Sequence, residues 1–330
     1  MTVTGGGGAP RAPLALTPGD PAGIGPEVAL EAARAAVADG LPVVLVGAAA
    51  VWQAAADALG VALPAPVVDV PDAGGEGPPT LPRSSAWGGR LSLAAIERAI
   101  AGCLDGTFGG IVTAPISKES INLAGSPFPG HTELLASRAG GAPVAMMLVR
   151  EHGLEAPLRV GLVTIHVPLR AVAALVTPER VGEVLGTVAA GLRQDWGIAA
   201  PRLALLGLNP HAGDGGVLGN EENDVLRPAL DAARRAGLDV EGPFPADAFF
   251  GRGAWRRFDA VVACYHDQGL APFKALAMGG GVNVTAGLPF IRTSPDHGTA
   301  FDVAGQGRAD ASSMTEAVRL AAELAARRFS

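Results

Sequence analysis

The sequence predicts an α/β fold carrying a largely parallel sheet. Short apolar runs recur along all 330 residues. Several are apolar on consecutive residues, as in strands covered on both faces. Segments with helical apolar spacing lie between them, and the two kinds alternate.

The strand-like runs are LALT (14–17), PVVLVG (42–47), GGIVTAP (109–115), VAMMLV (144–149), LRVGLVTIH (158–166), RLALLGL (202–208), AVVACYH (260–266) and GVNVTAG (281–287). Among the helices, one opens at Gly25-Pro26-Glu27. Another is capped by Thr177 ahead of Pro178, and Val181, Val184, Leu185 and Val188 then fall on one face. The last is expected to open at Ser313, with Glu316 at capping-box spacing. Residues 71–90 read as an irregular Gly/Pro-rich loop. Residues 1–12, also Gly/Pro-rich and without an apolar signal core, read as a disordered leader.

Composition removes several functions. No apolar run nears the ~18 residues of a membrane span. A net charge of −7 argues against nucleic acid as the main partner. The two cysteines, Cys103 and Cys264, lie in apolar segments, which disfavours a disulfide framework and fits a cytoplasmic protein. No G-x-G-x-x-G follows the first strand and no P-loop occurs. Of the 25 basic residues only Lys118 and Lys274 are lysines. A lysine amine transfers protons where a guanidinium does not.

Three of the six histidines share a context. His166, His211 and His266 each terminate a strand candidate, and ligand sites collect at the carboxyl ends of parallel strands. Three such imidazoles can hold one divalent cation and leave positions open for substrate. Their spacing carries no metal signature, and histidines bonded singly to backbone would explain the same residues. His152 reads as a hairpin turn residue. His131 and Thr132 open a helix, where free N–H groups favour anions. NPHAGDGG (209–216) is glycine-rich enough for close backbone approach to a ligand. Lys274, Asn283 and Arg292 follow His266 closely and together suit a phosphate or carboxylate.

TPGDPAGIGPE, GHTELLA, LNPHAGDGG, YHDQGLAPFK and GVNVTAGLPFIRTSPDHGTAFDVAGQG together resemble the 4-hydroxythreonine-4-phosphate dehydrogenases of vitamin B6 synthesis, over residues 15–310. The resemblance implies an isocitrate/isopropylmalate dehydrogenase-like fold of two α/β/α subdomains with a cleft between them, roughly 13–130 plus 290–330, and 131–289. It implies a homodimer with metal ligands at His166, His211 and His266, one of them from the partner subunit. It places substrate on His131, Thr132, Asp247, Lys274, Asn283 and Arg292. The metal is expected to be zinc, cobalt or magnesium. By a looser similarity to the wider superfamily, His297, Gly298, Thr299, Ala300 and Asp302 form a loop for NAD or NADP.

The reaction so implied is oxidation of 4-phosphooxy-L-threonine at its C3 hydroxyl, then decarboxylation, with Lys274 the first choice for proton transfer and Asp247 the second. A dehydrogenase of D-erythronate or D-threonate 4-phosphate is the alternative within the family. A metal hydrolase or an acyl or phosphoryl transferase, and a non-catalytic metabolite-binding protein, are the readings outside it. The loop at 296–307 argues against the hydrolase or transferase.

Overall fold

A computed structural model describes residues 12–329 except 73, 75, 76, 80, 81 and 129. But for Ala12, the leader expected at the N-terminus lies outside the described residues. The chain forms two compact units, residues 1–129 with 297–330, and residues 130–296.

The first unit runs β1 (Leu14–Thr17), α1 (Gly25–Ala38), β2 (Val43–Gly47), α2 (Ala49–Leu59), β3 (Val67–Asp69), α3 (Ala86–Leu104), β4 (Gly110–Thr113) and α4 (Lys118–Leu123). The second runs α5 (His131–Arg138), β5 (Ala145–Arg150), β6 (Leu158–Leu162), α6 (Leu169–Leu175), α7 (Pro178–Trp196), β7 (Arg202–Leu206), α8 (Arg227–Arg235), β8 (Asp239–Phe244), α9 (Ala246–Gly251), β9 (Ala260–Ala263), α10 (His266–Ala277), β10 (Val282–Ala286) and β11 (Ile291–Pro295). The chain then returns to the first unit with α11 (Ser312–Arg328).

In the first unit the strands lie parallel in the order β3-β2-β1-β4. All of β1 and β4 is buried, which explains their unbroken apolar sequence. Ser85 caps α3 by accepting from the Gly88 N–H, so the irregular stretch ends there and residues 86–90 are helical. The last helix opens at Ser312, one residue earlier than expected, and without a capping box. The Asp310 carboxylate takes the Ser312 N–H instead, at 2.9 Å. Among the described residues no helix is long and apolar enough to cross a membrane.

The second unit has the strand order β11-β10-β5-β6-β9-β7-β8. From β6 to β8 the strands are parallel. The rest is antiparallel, so the largely parallel sheet expected here is a mixed one. The reason is local: β5 to β6, through His152, and β10 to β11 are joined by connections too short for a crossover. Because β11 pairs with β10, residues 291–295 go with this unit. An aromatic core of Phe249, Phe250, Trp255 and Phe258 packs with β6, β7 and β9. α10 joins it through Leu270 and Phe273. Gly269 permits the approach, since a Cβ there would stand 2.8 Å from Val160. Thr177 caps α7 as expected, and Val181, Val184, Leu185 and Val188 are buried.

Candidate active site

β6, β9 and β7 are consecutive parallel neighbours. The strands stop at Leu162, Ala263 and Leu206, so His166, His266 and His211 sit in the segments just beyond, not on the strands themselves. Backbone bonds run on briefly past the strands, from Val163 N–H to the Ala263 carbonyl and from Gly207 N–H to the Phe244 carbonyl, before the chain reaches the histidines. The three ends are laced together. Thr164 Oγ1 donates to the Cys264 carbonyl at 2.8 Å, and Cys264 N–H donates to Gln268 Oε1 at 2.7 Å. The Gln268 amide in turn donates to the Gly207 carbonyl. Cys264 is a packing residue, its thiol pushed up by burial. Cys103 is likewise pushed up to about 12 by burial, so neither thiol suits a nucleophile.

His166 and His266 face one cavity of about 320 Å3, with ring centroids 5.5 Å apart. His266 is the first residue of α10, and its Nδ1 donates to Asp267 Oδ1 at 2.7 Å. That bond orients the ring and leaves Nε2 as the nitrogen for a ligand. His211 does not join the pair. Among the described residues no three His, Cys, Asp or Glu side chains gather into a metal-binding group. His211 instead opens a left-handed run, with φ of 54° at His211, 52° at Ala212, 80° at Gly213, 44° at Asp214 and 68° at Gly215. This conformation costs about 1–2 kcal/mol at each non-glycine residue. Strain of this kind concentrates at functional segments.

A second group gathers around Arg292 of β11. Its side chain is 2% exposed and donates to Thr285 Oγ1 of β10 at 3.1 Å. Burial lowers its pKa to about 10. His131, the first residue of α5, lies close enough to feel that charge. Burial first, and Arg292 second, hold its imidazole neutral, well below the usual histidine range. His131 Nε2 and the Asn283 Oδ1 of β10 are buried without hydrogen-bond partners. A guanidinium this deep, beside polar atoms left open, favours a hydrogen-bonding anion such as a phosphate or carboxylate. Thr132 is the second residue of α5.

The neutral state of His131 has a consequence for stability. A depressed folded-state pKa means that the unfolded chain binds the extra proton more readily. Its contribution is full above about pH 6.5 and is lost as pH falls below that. Thermal melts should show Tm falling between pH 7 and pH 5, less steeply in His131→Gln. An equal slope in both proteins would contradict the assignment.

Lys274, in the last turn of α10, places Nζ 3.1 Å from Asp296 Oδ2. Asp247 is exposed in the first turn of α9, and among the described residues no hydrogen bond or ion pair links it to this group. The loop of His297, Gly298, Thr299, Ala300 and Asp302 belongs to the first unit. There the Thr299 carbonyl accepts from the Ile24 N–H at 2.9 Å, Ala300 is left-handed (φ 43°), and His297 Nε2 is buried without a partner. Sequence reasoning missed Thr285, Gln268, Asn209 and Glu222. Thr285, Gln268 and Asn209 lie within the quoted segments but carried no signal of their own there, and Glu222 lies outside them.

Fold and site together define an α/β protein that carries in one unit two imidazoles on one cavity and, in a second group, a buried cation with polar atoms left open for a ligand. The chain belongs to the family of pyridoxal phosphate biosynthetic protein PdxA, whose signature matches residues 31–321. It is 45% identical to the 4-hydroxythreonine-4-phosphate dehydrogenase of Paracoccus denitrificans, covering 96% of this chain and 98% of that one. It is 46% identical to the protein of the same name from Chromobacterium violaceum, with the same coverages. The crystal structure of the Klebsiella pneumoniae 4-hydroxythreonine-4-phosphate dehydrogenase superposes with a TM-score of 0.85 at 39% identity, covering 96% of this chain and all of that one. A terephthalate 1,2-cis-dihydrodiol dehydrogenase from Burkholderia xenovorans is more distant, at 30% identity and a TM-score of 0.66 over 95% of this chain and 98% of that one.

Proposed function

We propose that this chain oxidises 4-phosphooxy-L-threonine at its C3 hydroxyl with NAD or NADP. The product, 2-amino-3-oxo-4-phosphooxybutyrate, loses CO2 to give 3-amino-2-oxopropyl phosphate. The observation that carries the reading is full-length identity of 45–46% to proteins named for this substrate. The buried Arg292 with His131 and Asn283 supports a phosphorylated substrate over a dihydrodiol.

The donor set fits a divalent cation. Two imidazoles face one cavity, and the Asp267 bond leaves Nε2 of His266 free. Such donors suit zinc or cobalt, and added substrate oxygens would suit magnesium. Ion and cofactor, when bound, supply Lewis acidity and the hydride acceptor. We read the third ligand, His211, as coming from a second copy of the chain. Supporting this, Leu169 beside the His166 cavity is 73% exposed and Val217 beyond the His211 turn is 79% exposed. Apolar groups so exposed are what an isologous homodimer covers. The loop from His297 to Asp302 is the candidate cofactor segment, and the open His297 Nε2 fits a polar ligand there. Two free thiols, one of them buried, suit a reducing cytoplasm.

The chain's own groups then divide the work. Arg292, His131, Thr132 and Asn283 hold the phosphate or carboxylate and so fix the hydroxyl bearing C3. Lys274 carries the proton between the reacting oxygen and solvent, with Asp296 holding its amine. Asp247 is the second candidate for that role. Lys274→Met should lower kcat by about 100-fold or more with KM changed little. Unchanged kcat would remove Lys274 as the proton carrier. The whole reading is tested by following reduced cofactor with 4-phosphooxy-threonine, erythronate 4-phosphate and threonate 4-phosphate, identifying products by mass. Turnover with either sugar acid alone would move the assignment to that substrate.

A further inference from the structure

The strained turn that presents His211 does not hold itself. Its φ values place five consecutive residues, three of them not glycine, in the left-handed region. Something must over-determine that conformation. The contacts converge on one buried carboxylate, while its half-buried neighbour Glu221 also accepts from Asn209 Nδ2, at 2.7 Å. Glu222 is 1% exposed, on the segment that follows the turn. Its Oε1 accepts from the Asn209 backbone N–H at 2.7 Å, and its Oε2 accepts from Asn209 Nδ2 at 3.0 Å. The Asn209 carbonyl then accepts from the Ala212 N–H at 3.1 Å, closing the turn around His211. Glycines make room for the carboxylate: a Cβ on Gly213 would stand 2.5 Å from Oε2, and one on Gly207 3.3 Å from Oε1. Glu222 also opens a π-helical turn, Glu222–Leu226, an irregularity that often marks functional segments. Two irregular backbone stretches are thus joined through one buried carboxylate and one asparagine.

We propose that Glu222, acting through Asn209, is the positioning residue that fixes the His211 turn for metal binding. It does not touch the ion. It sets where the His211 ring stands when two copies meet. This rests on the reading of His211 as a metal ligand.

The probe is Co2+ alone, titrated into the full-length protein against a competing chelator, with thermal melting alongside. Glu222→Ala should weaken Co2+ binding by about 10- to 100-fold, the range typical of groups that orient metal ligands. Glu222→Gln should recover part of the loss, because its carbonyl can still accept from the Asn209 N–H while its amide faces another donor. Should Glu222→Ala fail to fold, Asn209→Ala decides, with Glu221→Ala as its control, since the Asn209 amide serves both carboxylates; binding about 10-fold weaker is expected in Asn209→Ala and within about twofold of wild type in Glu221→Ala. Co2+ affinity within twofold of wild type in a folded Glu222→Ala, or in Asn209→Ala, overturns the proposal. His211→Ala separates the two failures. If it also binds Co2+ normally, the ligand assignment is wrong; if it alone loses binding, the assignment stands and the role of Glu222 falls.

Discussion

Replacing Arg292 by Met should remove use of the phosphorylated substrate without weakening the fold. The side chain is 2% exposed, and burial has already lowered its pKa to about 10. Desolvating that charge is a standing cost in the free protein. Met fills similar space without the cost, so Tm should hold or rise. Binding goes the other way. Truncating one partner of a buried charge pair costs about 2–5 kcal/mol. That converts to a fall in kcat/KM of about 30-fold to several thousand-fold. Steady-state kinetics and a thermal melt on the same variant check both halves. Unchanged kcat/KM would remove Arg292 from the anion site, and a collapse in Tm would make it structural.

The second large effect is expected at His266. His266→Ala removes a proposed metal ligand and should abolish metal-dependent turnover in a folded protein. Asp267→Ala should be milder. It leaves Nε2 in place but frees the ring that the 2.7 Å bond orients, weakening metal binding by about 10- to 100-fold. Chelator competition on the two variants checks the order. An Asp267→Ala defect as large as that of His266→Ala would mean that the carboxylate is itself a ligand.

Much of this was legible in the sequence, for physical reasons that differ by element. β1 and β4 are buried along their whole length, so their apolar runs had no other reading. Thr177 ahead of Pro178 is a local capping signal and needs no tertiary context. The last helix was misplaced because a carboxylate outside it, Asp310, does the capping that Ser313 and Glu316 were expected to do. The antiparallel turn from β5 to β6 was legible at His152, but the antiparallel pair of β10 and β11 was hidden because β11 was not recognised as a strand. In the site, His166, His211 and His266 were visible as polar residues interrupting apolar runs. Glu222 was not, because in sequence it sits in an acidic stretch indistinguishable from a solvated surface. Its burial, and the left-handed turn it fastens, exist only in three dimensions.

The claim on which the rest depends is that loops of two chains build one metal-dependent dehydrogenase site. His166 and His266 face one cavity of a single chain and, among the described residues, His211 does not join them, so the proposed third ligand is His211 of a second copy. A covalently linked dimer tests this directly. With His266→Ala in one half and His211→Ala in the other, both defects fall in the same site and the second site stays whole. About half of the wild-type turnover is then expected, by the stoichiometry of an isologous dimer. With both substitutions in one half, each site loses a ligand and turnover should vanish. The reverse pattern, activity kept only when both substitutions share a half, would mean that each chain carries all three ligands and would contradict the account.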